Sequence, residues 1–214
     1  MELSIIQKIV IHALPVIFAI TVHEAAHGYA AKYFGDMTAH KAGRISLNPI
    51  RHIDLFGTII LPALLFWSTH GSFLFGWAKP VPVDFSRLRN PKKDMLWVAA
   101  AGPASNFVMA ILWVFVIKFS MNAPESIAYP LAVMGKAGIS INIVLMVLNL
   151  LPLPPLDGGR IAVSLLPMKY AMKFAQIERY GFIILIALMF SGVLNQILDP
   201  LINVVYALII SLFG

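Results

Sequence analysis

The part of this sequence best suited to chemistry is His23-Glu24-Ala25-Ala26-His27. On a helix, residues four apart share one face about one turn apart. Two imidazoles so placed can hold one divalent cation, and zinc is the usual guest. Glu24 is rotated roughly 100° from His23, so it need not ligate and can face a water at the metal instead. The spacing alone is only moderately specific, because chance produces it on many polar helix surfaces. The setting strengthens it. Nearly all of the ten residues before His23 are apolar, and Ala25, Ala26, Ala30 and Ala31 follow. An ionisable group at bilayer depth costs about 2.5–3.5 kcal/mol on insertion scales and is functional by default.

A catalytic zinc needs a third protein ligand and an open position for water. The extended metzincin pattern is absent, since Tyr33 stands where its third histidine would be. There is no cysteine, which excludes thiolate ligands, a cysteine nucleophile and disulfides. Of the glutamates after Glu24, Glu125 falls in a loop expected outside and Glu178 in a basic segment. Asp157 remains, beside the end of an apolar segment in Pro152-Leu153-Pro154-Pro155-Leu156-Asp157-Gly158-Gly159. Those prolines stop a helix and force an extended stretch that can carry Asp157 sideways toward a neighbour.

The elements that must position these groups are apolar. Of 214 residues, 59% are hydrophobic and 12% charged, and the mean hydropathy is +0.83. A soluble domain carries roughly 25% charged residues. The expectation is one membrane-embedded domain over residues 1–214, with a core at about 3–180 and a C-terminal helical pair at about 180–213. The net charge of +6 does not signal nucleic acid, because the basic residues sit in short loops between apolar segments. A cleaved signal peptide is not expected, since cleavage after the first apolar run would separate or discard His23 and His27.

In order, segment one covers about 3–34 and ends at Gly35-Asp36. His12 lies on nearly the same face as His23 but about 16 Å back along the axis, too far to share a metal. It reads as a packed or pore-facing histidine. A polar loop at 36–54 holds His40 and His52, read as interfacial, and Arg44-Ile45-Ser46-Leu47, read as a short strand. Segment two, 55–75, is long enough to just span, but basic residues flank it on both sides. It is therefore expected to re-enter and return, covered by protein or water. Segment three, 94–119, contains Gly102-Pro103-Ala104-Ser105-Asn106, whose small residues admit close helix approach. Segment four, 131–151, ends in Asn149 and the proline run. Segments five and six, about 180–194 and 197–213, carry no ionisable group in their interiors and read as scaffold. Thirteen of the sixteen Lys and Arg fall in the three stretches this topology places in the cytoplasm. With segment two returning, His23, His27 and Asp157 arrive at the same membrane face; with it crossing, they would not. The fold class expected is all-α and polytopic, with five to six transmembrane or re-entrant segments, a three-helix catalytic core and a short β-hairpin.

At this point the sequence resembles the site-two proteases, the intramembrane zinc metalloproteases. The residues that carry the likeness are His23-Glu24-x-x-His27, Gly102-Pro103-x-x-Asn106, and Asn149 with Pro152, Pro154, Leu156, Asp157 and Gly158. Gly35-Asp36-x-Thr38-Ala39, Leu47-Asn48-Pro49 and Gly76-Trp77-Ala78-Lys79-Pro80-Val81-Pro82-Val83 resemble small prokaryotic members. The likeness covers roughly residues 15–180. It implies one Zn2+ per chain on His23, His27 and Asp157, with Glu24 as catalytic base. Asn106 and Asn149 could hydrogen-bond the substrate backbone or steady the oxyanion, or simply join helices. Transmembrane proteins are the implied substrates and the bilayer the implied medium, in the cell membrane, with the active site toward the cytoplasm. Two other readings stand beside this one: a metal or proton transporter using the same groups as a relay, and an inactive relative that binds membrane partners.

Overall fold

The computed structural model describes residues 4–68 and 76–214. Helix α1 spans Ile5–Tyr33. Ser4 caps it in a reciprocal capping box, accepting from the Gln7 amide at 3.2 Å and donating its own amide to Gln7 Oε1 at 2.8 Å. It stops where expected, at Gly35, whose φ of 108° suits a residue without Cβ. A short helix α2, Thr38–Lys41, follows. Asp36 is fully buried between the loops that flank the site. Its carboxylate accepts from the Thr38 amide and hydroxyl and from the Asp84 amide, tying the exit of α1 to the chain that leads into α4.

Segment two begins as a π-helical turn, Leu55–Ile60, and continues into α3, Leu61–Ser68. Fourteen helical residues reach about 21 Å, short of the ~30 Å hydrocarbon thickness. Residues 69–75, the last part of the expected segment, lie outside the described residues. Beyond them the chain is back beside its starting point. The Trp77 amide donates to Gly57 O at 3.0 Å, Thr58 Oγ1 donates to Trp77 O at 2.8 Å, and the Lys79 amide donates to His52 O at 2.9 Å. Gly57 permits this approach: a Cβ there would fall 2.3 Å from the Trp77 indole nitrogen.

The expected strand at 44–47 is absent, and no strand occurs among the described residues. The physical reason lies across from it. Pro80 and Pro82 have no N–H to offer a ladder. The link is made instead by the Arg44 guanidinium, which donates to Lys79 O at 2.7 Å and to Pro80 O at 3.3 Å.

The remaining helices are α4 (Pro91–Ser120), α5 (Glu125–Asn149), α6 (Asp157–Leu165), α7 (Met168–Ala175), α8 (Glu178–Phe190) and α9 (Val193–Phe213). Among the described residues, α1, α4, α5 and α9 are long and apolar enough to cross a membrane; segment two and α8, counted among the five to six transmembrane or re-entrant segments expected, are shorter. α8 has 13 residues, about 20 Å at 1.5 Å per residue, and Gly192 at φ 76° separates it from α9. α1, α4 and α5 pack on one another, α6 packs on α4, and α9 packs on α5 and α8. The core lies between α4, α5, α8 and α9, around Ala110, Val114, Ile139, Ile143, Leu185, Leu198 and Ile209. Outward, α1, α4 and α9 show Ile6, Leu14, Phe18, Leu112, Phe115, Val204 and Leu208. Such apolar exteriors suit lipid rather than water.

Candidate active site

His23 and His27 stand in the later part of α1, and Asp157 opens α6 after the proline run. Each rests on local sequence logic. His23 and His27 share a face because they are four apart. Asp157 is delivered by a turn in which two glycines touch backbone directly: a Cβ on Gly158 would lie 2.2 Å from Leu150 O, and one on Gly159 2.3 Å from the Pro154 nitrogen. Across the site, Gly102 of α4 leaves room for the imidazoles; a Cβ there would lie 2.4 Å from His27 Nε2 and 2.6 Å from His23 Nε2.

The ligand atoms form a small triangle. His23 Nε2 and His27 Nε2 are 3.1 Å apart, and Asp157 Oδ2 is 3.3 Å from the first and 3.4 Å from the second. The edge of a tetrahedron with zinc–ligand bonds of about 2.0–2.1 Å is about 3.3–3.4 Å. The hydrogen bonds around the triangle show what it lacks. Asn142 Nδ2 donates to Gly138 O, so its Oδ1 accepts from Asn106 Nδ2 at 2.9 Å. Asn106 Oδ1 is thereby turned to His23 Nδ1 at 2.6 Å, and that nitrogen carries the hydrogen. His27 Nδ1 donates to Val98 O at 2.8 Å. With each Nδ1 on an acceptor, the two Nε2 atoms face each other and a carboxylate oxygen that is buried without a hydrogen-bond partner. Three ligand atoms converge, and a metal ion at their centre would engage all three at once. The residues present fit a zinc ion.

Glu24 lines the same cavity of about 210 Å³, together with Val81, Asn149 and Arg160. Its Oε2 accepts from the Val81 amide at 2.7 Å, leaving the other oxygen unengaged by that contact. Sequence reasoning missed this donor, although in Pro80-Val81-Pro82 only Val81 has an amide hydrogen to give. It also missed Asn142, fully buried within α5, whose signal is an amide amid apolar residues, about two helix turns before Asn149.

The two asparagines that sequence reading paired are differently placed. Asn106 is fully buried, and its amide is committed to His23, Asn142 and Ala19 O. It has no polar atom left for a substrate. Asn149 lines the cavity and donates one N–H to Leu145 O at 3.0 Å, which leaves a second. Arg160 does not pair with Asp157: it meets Glu178 Oε1 at 3.3 Å and stacks 5.0 Å from the Phe85 ring centroid. His12 is exposed, rather than packed, with Nδ1 on Lys8 O. His40 is exposed, and His52 is buried against Ser46 O. Among the described residues only His23, His27 and Asp157 form a group able to hold a metal.

Residues 123–192 match the family described as peptidase family M50. Over 205 residues the chain is 37% identical to a Bacillus subtilis protein named "Putative zinc metalloprotease YwhC", covering 94% of this chain and 90% of that one. The chain belongs to peptidase family M50. It is a zinc metalloprotease, and its helices make it a membrane protein. More distant relatives carry the name "Putative zinc metalloprotease Rip2". The one from Mycolicibacterium smegmatis is 28% identical, over 84% of this chain and 66% of its own length. The one from Mycobacterium tuberculosis is 26% identical, over 83% of this chain and 65% of its own. No solved structure matches the chain significantly.

The amide chain behind His23 gives a test. Asn106→Leu strips the acceptor from His23 Nδ1 and leaves Asn142 Oδ1 buried without a donor. Outer-shell partners of metal-bound histidine are worth about 10–100-fold in affinity, so zinc retention against a graded chelator should weaken by that factor. Unchanged retention would show that His23 keeps its orientation without Asn106.

Proposed function

We propose that this chain is an intramembrane endopeptidase that cuts peptide bonds within or near the transmembrane segments of other membrane proteins. The observation that carries the reading is the triangle of ligand atoms built between spanning helices α1 and α4 and the turn that follows α5. In this proposal residues 1–214 form one catalytic domain, with His23, His27 and Asp157 as zinc ligands and Glu24 as base. Zinc, when bound, lowers the pKa of a water it holds to about 7 and polarises a carbonyl. Glu24, with one oxygen held by the Val81 amide, is the group placed to take a proton from an attacking water and to return it to the leaving amine. The Val81 amide keeps the carboxylate from swinging away. Asn149, with its second N–H, steadies the substrate backbone or the oxyanion. Asn106 serves as a positioning residue for His23.

The basic stretches at 32–51, 79–93 and 160–179 support an active site toward the cytoplasm. The return of the chain at Trp77–Lys79 to the level of His52–Thr58 supports a re-entrant segment two. A helical substrate shields its peptide bonds within its own turns, so it must unwind locally. Residues such as Gly, Pro or Asn in the target segment ease this.

The test is where the cut falls. The purified protein, reconstituted in lipid with a panel of membrane-segment fusions, should release products whose new termini, read by mass spectrometry, lie inside the apolar stretch. A Gly-Pro pair placed there should raise the rate over an all-leucine segment. Cuts confined to soluble flanks would overturn the intramembrane reading while leaving the chain a protease.

A further inference from the structure

A second hollow, of about 480 Å³, lies between the first turns of α4 and the end of α6. Lys92, Lys93, Leu96 and Trp97 line it from α4, and Ser164 and Leu165 from α6. None of them lines the catalytic cavity. Its position is fixed by the fold: Pro91 is the first residue of a spanning helix, so the hollow opens at a membrane boundary.

The walls combine charge and apolar surface. α4 begins at Asn90, whose own side chain makes no cap hydrogen bond. The one acid of the first turn, Asp94, is buried and accepts the Asn90 amide at 2.7 Å. At 100° per residue it sits roughly 130° round the helix from the lining face. Lys93 is exposed, and no carboxylate among the described residues lies within salt-bridge distance of it. Lys92 donates Nζ to Leu166 O and so fastens the end of α6 to α4. Ser164 is 9% exposed, and its hydroxyl has no hydrogen-bond partner. The rest of the wall is apolar, with Trp97 56% and Leu165 69% exposed. Directly after it, α7 turns Met168, Tyr170 and Met172 outward alongside Lys169 and Lys173. Exposed apolar and basic side chains on one short helix suit the headgroup layer of a bilayer, and tryptophan favours the same depth.

We propose that this hollow binds one anionic phospholipid. Lys93 takes the phosphate, Ser164 donates its hydroxyl, and Leu96, Trp97 and Leu165 receive the glycerol and the upper acyl chain. Inorganic phosphate would match the charge but make no use of the apolar wall. A zwitterionic lipid would match the wall but not the excess positive charge.

The test is native mass spectrometry of the delipidated full-length protein, titrated with phosphatidylglycerol, phosphatidylcholine or inorganic phosphate. One phosphatidylglycerol should be retained in preference to phosphatidylcholine. Lys93→Gln should weaken that preference about five-fold, the effect of one basic residue near an anionic surface. Ser164→Ala should weaken phosphatidylglycerol retention without changing charge. Lys136→Gln, an exposed lysine of α5, should change nothing. Zinc content and melting temperature, measured on each variant, confirm an intact fold. Equal retention of the two lipids, an unchanged Lys93→Gln, or displacement of phosphatidylglycerol by an equal concentration of inorganic phosphate would each overturn the proposal.

Discussion

Glu24→Gln should leave the zinc in place and lower peptide-bond cleavage by about 10²–10⁴-fold, the usual worth of a positioned general base. The substitution keeps the side chain's size and its carbonyl oxygen, so the Val81 amide at 2.7 Å retains an acceptor. It touches none of the three atoms in the metal triangle. What it removes is the ability to take a proton from water and pass it to the departing nitrogen. Metal analysis beside a cleavage assay on the same sample separates the readings. A protease keeps its zinc and stops cutting. A carrier would bind the ion and still move it across a sealed vesicle. Full cleavage by Glu24→Gln would mean that another group is the base.

Gly102→Ala should strip the site of zinc, and with it nearly all activity, while the fold persists. Alanine is favoured over glycine in a helix interior by about 0.8–1.0 kcal/mol, so intrinsic propensity pushes toward a more stable α4. The added methyl would start 2.4 Å from His27 Nε2 and 2.6 Å from His23 Nε2. Both are the ring atoms that face the metal. The imidazoles can make room only by swinging off their Nδ1 partners, Asn106 and Val98, or by α4 backing away from α1. Either motion breaks a triangle with edges of 3.1, 3.3 and 3.4 Å. The measurement is zinc per protein after dialysis, beside a thermal melt. Full zinc with full activity would mean the helices separate more easily than the packing of α1 on α4 suggests. Unfolding would be a different failure, and Gly102→Ser, with a similar Cβ, should then share it.

Much of this site is legible in the sequence because it depends on spacing. His23 and His27 reveal their shared face through a four-residue period, and Asp157 is singled out by elimination and by the direction each segment runs. The return of the chain after segment two is legible as well, from lysines and arginines on both flanks. What spacing cannot reveal is which polar atoms meet across helices. Asn106 and Asn149 look alike in sequence, each an amide in an apolar run. Only packing shows that the first is spent on His23 and Asn142, while the second reaches the cavity. The missing strand has a similar origin. Arg44–Leu47 has strand-like residues, but its neighbour carries prolines at 80 and 82, and a guanidinium takes over the contact. The donor to Glu24 is a main-chain amide, a group that side-chain identity does not advertise.

The line of amides from Ala19 O through Asn106 and Asn142 to Gly138 O has a consequence for how the molecule is put together. Greasy cylinders in oil slide past one another with little preference for height, because every position offers similar neighbours. Buried amides end that indifference, since a shift of one residue strands a donor and an acceptor where no water can rescue them. This fastening does not involve the ion. The three rods can therefore lock at the correct height during insertion, and the metal can be loaded afterwards, as a final step into a cradle that is already set.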